Sequence, residues 1–142
     1  MIRKFADGDL DAVMQIWLHT NLQAHGFISS DYWQGSFDMV KELLPCAEVY
    51  VHETDNANQI DGFIGLNNDY IEGIFIKEAA QSKGAGKQLL DHVKKFKSAL
   101  TLKVYQKNER AIQFYLREEF RIQSESVEEA TGEKELIMIW KR

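Results

Sequence analysis

Ile74-Phe75-Ile76, a short loop, and then Gln81-Ser82-Lys83-Gly84-Ala85-Gly86-Lys87 make up the stretch on which the reading of this chain turns. A β-branched and aromatic run ends there, and two glycines open an amphipathic helix predicted over 84–97 with Leu89, Leu90, Val93 and Phe96 facing inward. Glycine inside a helix costs about 1 kcal/mol relative to alanine, so Gly84 and Gly86 mark a first turn whose backbone something approaches closely. Free N–H groups at such a helix start, aided by its dipole and by Lys83 and Lys87, suit a pyrophosphate. Two other phosphate turns fail on the letters. A Walker A loop needs glycine where Gln81 stands and Ser or Thr where Gln88 stands. A dinucleotide fingerprint begun at Gly84 needs Gly or Ala at Leu89. A glycine-rich helix start without a ligand is the remaining alternative.

Upstream, a strand is expected at residues 2–5, then a helix capped by Asp7 with Leu10, Val13, Met14 and Trp17 on its buried face. A loop through His25 leads to a second helix with a Trp33, Phe37, Val40, Leu44 stripe, stopped at Pro45. Strands at 47–53, 59–67 and 70–76, separated by Asn/Asp turn signals, read as an antiparallel meander. After the glycine helix, strict alternation gives a strand at 100–105, so that strand, helix and strand form a parallel crossover. A helix capped by Asn108 and strands at 120–127 and 134–140 complete a mixed α/β chain.

With 142 residues, 44% of them hydrophobic, and no linker or repeat, the chain is expected to be one domain spanning 1–142. Nothing resembles a signal peptide, and the apolar run at 136–140 is far short of a membrane span. The single Cys46 cannot form an internal disulfide and lacks a nucleophile motif, so it is read as buried, in a cytoplasmic protein. The net charge of −5 argues against nucleic acid as a partner. Residues 81–107 nevertheless carry seven lysines against the lone acid Asp91, a net +6 that leaves −11 elsewhere. Lys94, Lys95 and Lys97 read as a solvated helix face, whereas Lys83 and Lys87 flank glycines. His19, His52 and His92 share no metal-ligand spacing, so no metal is expected.

The pattern Gln81-x-x-Gly84-x-Gly86 resembles the (Arg/Gln)-x-x-Gly-x-(Gly/Ala) motif of the GNAT superfamily of N-acetyltransferases. Downstream, Asn108-Glu109-Arg110-Ala111-Ile112-Gln113-Phe114-Tyr115 is similar to that family's Asn-x-x-Ala-x-x-Phe-Tyr signature. The order of elements fits along the whole chain, and His25-Gly26-Phe27 before an aromatic helix is similar to small bacterial members. One departure is Glu119-Phe120 where Gly-Phe is usual, which puts Glu119 at positive φ or changes the turn. The resemblance implies a largely antiparallel central sheet with helices on both faces and transfer of acetyl from acetyl-CoA to a primary amine by direct attack.

The resemblance also implies roles. Gln81, Ser82, Lys83, Gly84, Ala85, Gly86 and Lys87 hold the coenzyme's phosphates, and backbone groups of Phe75 and Ile76 face the pantetheine arm and thioester oxygen. Asn108, Ala111 and Tyr115 share one helix stripe, with Asn108 and Ala111 touching the coenzyme and the Tyr115 hydroxyl donating to the departing sulfur. Without the motif, Tyr115 reads as a core aromatic beside Phe114. Glu72, an acid in an apolar strand, is the candidate general base, with Tyr70 lining the same groove; an exposed surface carboxylate is the plain alternative. His25 competes for that role, and His25 and Phe27 border the acceptor. The acceptor is a small-molecule or peptide amine, and the chain a monomer or homodimer. A non-catalytic acyl-CoA-binding module is the alternative function; an interaction domain presenting Trp17, Trp33 and Trp140 is a third.

Overall fold

The computed structural model describes residues 1–55 and 59–142. In chain order the elements are β1 (Ile2–Lys4), α1 (Leu10–Ala24), α2 (Ser30–Leu43), β2 (Glu48–Glu53), β3 (Ile60–Asn67), β4 (Tyr70–Ile76), α3 (Ala85–Lys94), β5 (Ala99–Tyr105), α4 (Glu109–Arg117), β6 (Arg121–Val127) and β7 (Lys134–Lys141). One seven-stranded sheet runs β1-β2-β3-β4-β5-β7-β6. Every neighbouring pair is antiparallel except β4 and β5, which the α3 crossover makes parallel. The Asn56 and Asn58 part of the turn predicted between β2 and β3 lies outside the described residues.

Alternation along the strands supplies two cores, one on each sheet face. Val49, Val51, Ile60 and Phe63 pack against Val13, Met14, Ile16 and Trp17 of α1 and Trp33 of α2. Tyr50, Ile64, Leu66, Ile71, Leu100, Leu102 and Met138 pack against Leu89, Leu90 and Val93 of α3 and Tyr115 of α4. All three tryptophans are buried, which removes them from any partner surface.

β4 and β5 are in register only at Tyr70 with Thr101 and Ile71 with Leu102. Past that point β5 stays with β7 as far as Tyr105, and β4 stays with β3 as far as Ile76, so the two strands part. The separation starts at an irregularity. Gly65 faces Gly73 and Leu66 faces Ile71, which leaves Glu72 as the extra residue of a bulge. Among the described residues, the β5-facing edge of residues 72–76 therefore has no strand against it.

Several expectations need correction. Asp7 does not cap α1. It begins a 3-10 turn, Asp7–Asp9, in which the Asp9 carboxylate accepts from the Ala6 amide and from both terminal nitrogens of the Arg3 guanidinium, and α1 then starts at Leu10. α3 stops at Lys94, and the turn after it carries Phe96 off the buried stripe to 49% exposure, against the rings of Tyr50 and His92. Cys46 is exposed, because Leu44–Cys46 form a surface turn in which Leu44 takes the buried position. Lys94 and Lys97 are not idle surface charges. Lys94 Nζ donates to the Glu118 carbonyl at 2.7 Å and lies over the Phe120 and Trp140 rings, while Lys97 Nζ pairs with Glu48 at 3.1 Å. Among the described residues, no helix is long and apolar enough to cross a membrane.

Candidate active site

The glycine turn and α4 close around a cavity of about 420 Å³ lined by Ile74, Ile76, Gln81, Ser82, Gly84, Ala85, Gly86, Lys87, Asn108, Ala111 and Tyr115. That volume is in the range of ligand pockets. Ten of the residues singled out in the sequence meet in this wall. Lys83 and Phe75 do not: Lys83 is exposed outside it, and the Phe75 ring stacks on Phe63 in the other core, centroids 4.9 Å apart.

The two glycines act differently. Gly84 has φ 93° and serves as the N-cap of α3 without any side chain to accept from the first turn, so the opening amides keep no cap. At Gly86 the close approach comes from the protein itself, because a Cβ there would stand 3.4 Å from the Phe114 ring. Gln81 and Arg110 shape the loop between them. Gln81 Nε2 donates to the Ile76 carbonyl at 2.9 Å, and Arg110 donates to Gln81 Oε1 and Ser82 Oγ, both at 2.8 Å. Ser82, at φ 64°, is tied in the strained left-handed region by that second bond.

α4 begins at Asn108, whose Oδ1 accepts from the Ala111 amide at 3.2 Å, and the capped helix carries Tyr115 two turns on. Glu119 follows at φ 73°, the positive value anticipated where glycine is usual. Tyr115 is 8% exposed and packs against Phe114 and Phe120, yet it lines the cavity and its hydroxyl has no hydrogen bond among the described residues. Desolvation, then the nearby Tyr70, holds its pKa far above the ordinary phenol value, so the proton stays on Oη near neutrality. Tyr115 is thus at once a core aromatic and a residue of the cavity wall.

Across the strand gap lies a second cluster. Burial, followed by the charges of Glu72, Glu135 and Glu128, pushes the Tyr70 phenol up to about 12. Solvent reaches Glu72 on its bulge, but the surrounding protein still desolvates the carboxyl and raises its pKa. Glu128 Oε1 accepts from Tyr105 at 2.6 Å and from Thr131 at 2.8 Å, while Oε2 has no bond among the described residues. Glu128 also bears on Tyr32. Phe27 joins through its ring contact with Tyr105 at 5.6 Å.

His25 caps the C-terminus of α1, and both of its ring nitrogens are engaged: Nδ1 lies 3.2 Å from Asn21 Oδ1 and Nε2 lies 3.2 Å from Asn108 Nδ2. Burial lowers its pKa to about 4. The imidazole is therefore neutral near pH 7 and has no nitrogen left over for an acceptor. Arg110, Glu118, Tyr32, Tyr105 and Glu128 belong to these surroundings and were not visible in the sequence. Only the placement of Arg110 inside the Asn108–Tyr115 signature hinted at one of them.

The profile described as "Acetyltransferase (GNAT) domain" matches residues 45–122. The chain is 31% identical to the peptidyl-lysine N-acetyltransferase YiaC of Escherichia coli K12, over 99% of this chain and 96% of that one. It is 27% identical to the peptidyl-lysine N-acetyltransferase YjaB of Salmonella typhimurium LT2, over 88% and 86%. The solution structure of apo YjaB from Escherichia coli superposes with a TM-score of 0.87 at 25% identity, covering 99% and 96%. The parted strands, the uncapped glycine helix and the full-length likeness agree, and this chain belongs to the GNAT family as an acetyl-CoA-dependent N-acetyltransferase.

Proposed function

We propose that the acceptor is the side-chain amine of a lysine in a peptide or protein. The observation that carries this reading is the acidic and aromatic cluster in which Glu128 meets Tyr105 at 2.6 Å and keeps Oε2 unbonded among the described residues, with solvent-reached Glu72 and Tyr70 beside it, whereas Glu135 is buried and already paired with Lys103. The Glu72 and Glu128 carboxylates attract an ammonium ion, and the rings of Tyr32, Tyr70 and Tyr105 offer apolar surface to the methylene stem that carries it, while the Phe27 ring already holds Lys107 Nζ at 5.3 Å. The substrates named for YiaC and YjaB support the same class.

Acetyl-CoA supplies a thioester carbonyl open to a neutral amine. Gln81, Ser82, Gly84, Ala85, Gly86, Lys87 and Ala111 would hold it along the cavity, whose uncapped amides and small side chains fit a phosphate-bearing chain. Backbone groups on the free β4 edge near Phe75 and Ile76 would face the thioester. Glu72 takes the proton from the arriving ammonium, directly or through water, and its raised pKa suits that work. Tyr115 keeps its proton until the sulfur departs. The exposed thiol of Cys46 is compatible with a reducing, cytoplasmic setting.

The test is coenzyme A thiol release over a panel of lysine peptides, peptides with only a free α-amine, polyamines, free amino acids and aminoglycosides. The highest kcat/KM belongs to a lysine peptide. Turnover confined to a small amine would reject the proposed acceptor, and acetyl-CoA binding without thiol release from any amine would favour the binding-module alternative.

A further inference from the structure

His25 sits in a hydrogen-bond chain whose polarity is fixed at both ends. At one end the Ala111 amide donates to Asn108 Oδ1, so the Asn108 Nδ2 donor is the atom turned toward His25 Nε2. At the other end Asn21 Nδ2 donates to the Trp17 carbonyl at 2.9 Å, which turns Asn21 Oδ1 toward His25 Nδ1. An imidazole between an amide donor and an amide acceptor must accept at Nε2 and donate from Nδ1. Only the neutral Nδ1–H tautomer does both. Three rings hold it in place: Trp33 stacks at 5.4 Å, and Tyr105 and Phe27 meet it edge-on at 4.9 and 5.7 Å.

We propose that His25 is a positioning residue for the coenzyme helix rather than an acceptor contact: by accepting from Asn108 it fixes the N-cap from which α4 presents Ala111 and Tyr115. Asn108 and His25 are 83 residues apart in sequence, and their bond ties the end of α1, at the acceptor loop, to the start of α4 across the parted strands. The Asn of the signature is then oriented by the protein, with Oδ1 on the helix and one Nδ2 hydrogen on His25, which leaves its second Nδ2 hydrogen and second Oδ1 lone pair unspent among the described residues at the cavity wall. The inference rests on α4 lining the acetyl-CoA site.

Two substitutions divide the ring's functions. His25→Asn keeps a donor near Asn21 but cannot reach Asn108, whereas His25→Gln places an acceptor near the position of Nε2. Asn108→Ser keeps a good cap and removes the donor while leaving the half-buried imidazole itself unchanged. By calorimetry with acetyl-CoA, His25→Asn and Asn108→Ser should each weaken binding about three- to tenfold, the worth of one hydrogen bond. His25→Gln should stay within about twofold of wild type, and the His25→Asn/Asn108→Ser pair should be no worse than either alone. Acceptor KM at saturating coenzyme should move less than coenzyme affinity. Unmoved coenzyme affinity in both Asn108→Ser and His25→Asn, equal behaviour of Gln and Asn at 25, or additive losses would overturn the relay. A wild-type protein that binds no acetyl-CoA would instead overturn the site reading beneath it.

Discussion

Lys87 Nζ lies 3.0 Å from Glu118 Oε1, and both residues line the same cavity, so a cation of the glycine turn is already held by an acid. Glu118 is 9% exposed, and its backbone carbonyl is tied to Lys94. An incoming phosphate has to compete for Lys87 and also meets the carboxylate's charge. Glu118→Gln keeps the shape and removes that charge. It should tighten acetyl-CoA about two- to fivefold at low salt, with the gain shrinking as ionic strength rises. Calorimetry at two salt concentrations checks this, and weakened binding would mean that Glu118 orders the cavity wall more than it repels the ligand.

Tyr115→Phe removes one oxygen whose hydroxyl has no hydrogen bond among the described residues, so the packing against Phe114 and Phe120 should survive. Turnover should fall by about a hundredfold, the lower end for general acid catalysis, because a thiol already leaves fairly well. Coenzyme affinity should stay near wild type. Turnover at the wild-type rate would remove Tyr115 from the chemistry.

The outline of both halves of the site was legible because it rests on local rules. Asn108 is a helix cap by residue type, and the glycines mark the opening of α3, although the sequence suggests room for a close approach and Gly84 supplies a positive φ of 93° instead. What escaped notice depends on long-range partners. Asp9 rather than Asp7 organises the start of α1 because Arg3, in a strand, reaches it. Lys94 is recruited by a carbonyl 24 residues away, and Glu128 joins the cluster around Tyr70 through Tyr105 of β5. The bulge at Glu72 is similarly a property of pairing with β3, since the apolar run of residues 70–76 shows an odd acid but not the register shift that makes it the extra residue. His25 looked like a titrating loop group, and only the two amides facing it show that it is held neutral.

Glu128 offers a test of acceptor charge. Two hydroxyls hold Oε1 and leave Oε2 free among the described residues. Glu128→Gln should raise the KM of a lysine peptide about two- to fivefold, the usual worth of one partly exposed charge pair, while leaving acetyl-CoA KM unchanged. A neutral hydroxyl-bearing analogue of the peptide, used as a competitive inhibitor, should lose no affinity. If both peptides weaken equally, Glu128 acts by ordering Tyr105 and not by its charge.

The proposed base Glu72 can be tested through stability and turnover together. Desolvation raises its carboxyl pKa in the folded chain, so folding favours the protonated form. That contribution is fully present below the unfolded carboxylate pKa of about 4.3 and is lost as pH rises through the higher folded value. Glutamine imitates the protonated carboxyl at every pH. Glu72→Gln should therefore match the wild-type Tm in acid and exceed it at neutral pH, the opposite of what removing a structural ion pair would do. The same variant should lose turnover at neutral pH and recover part of it at higher pH, where more of the amine is already neutral. Thermal unfolding across pH, paired with a kcat profile on a lysine peptide, reads both effects. A variant that is more stable at neutral pH yet turns over at the wild-type rate would leave Glu72 desolvated but idle. One that loses turnover and Tm together would make the bulge, not the base, the reason for the acid at this position.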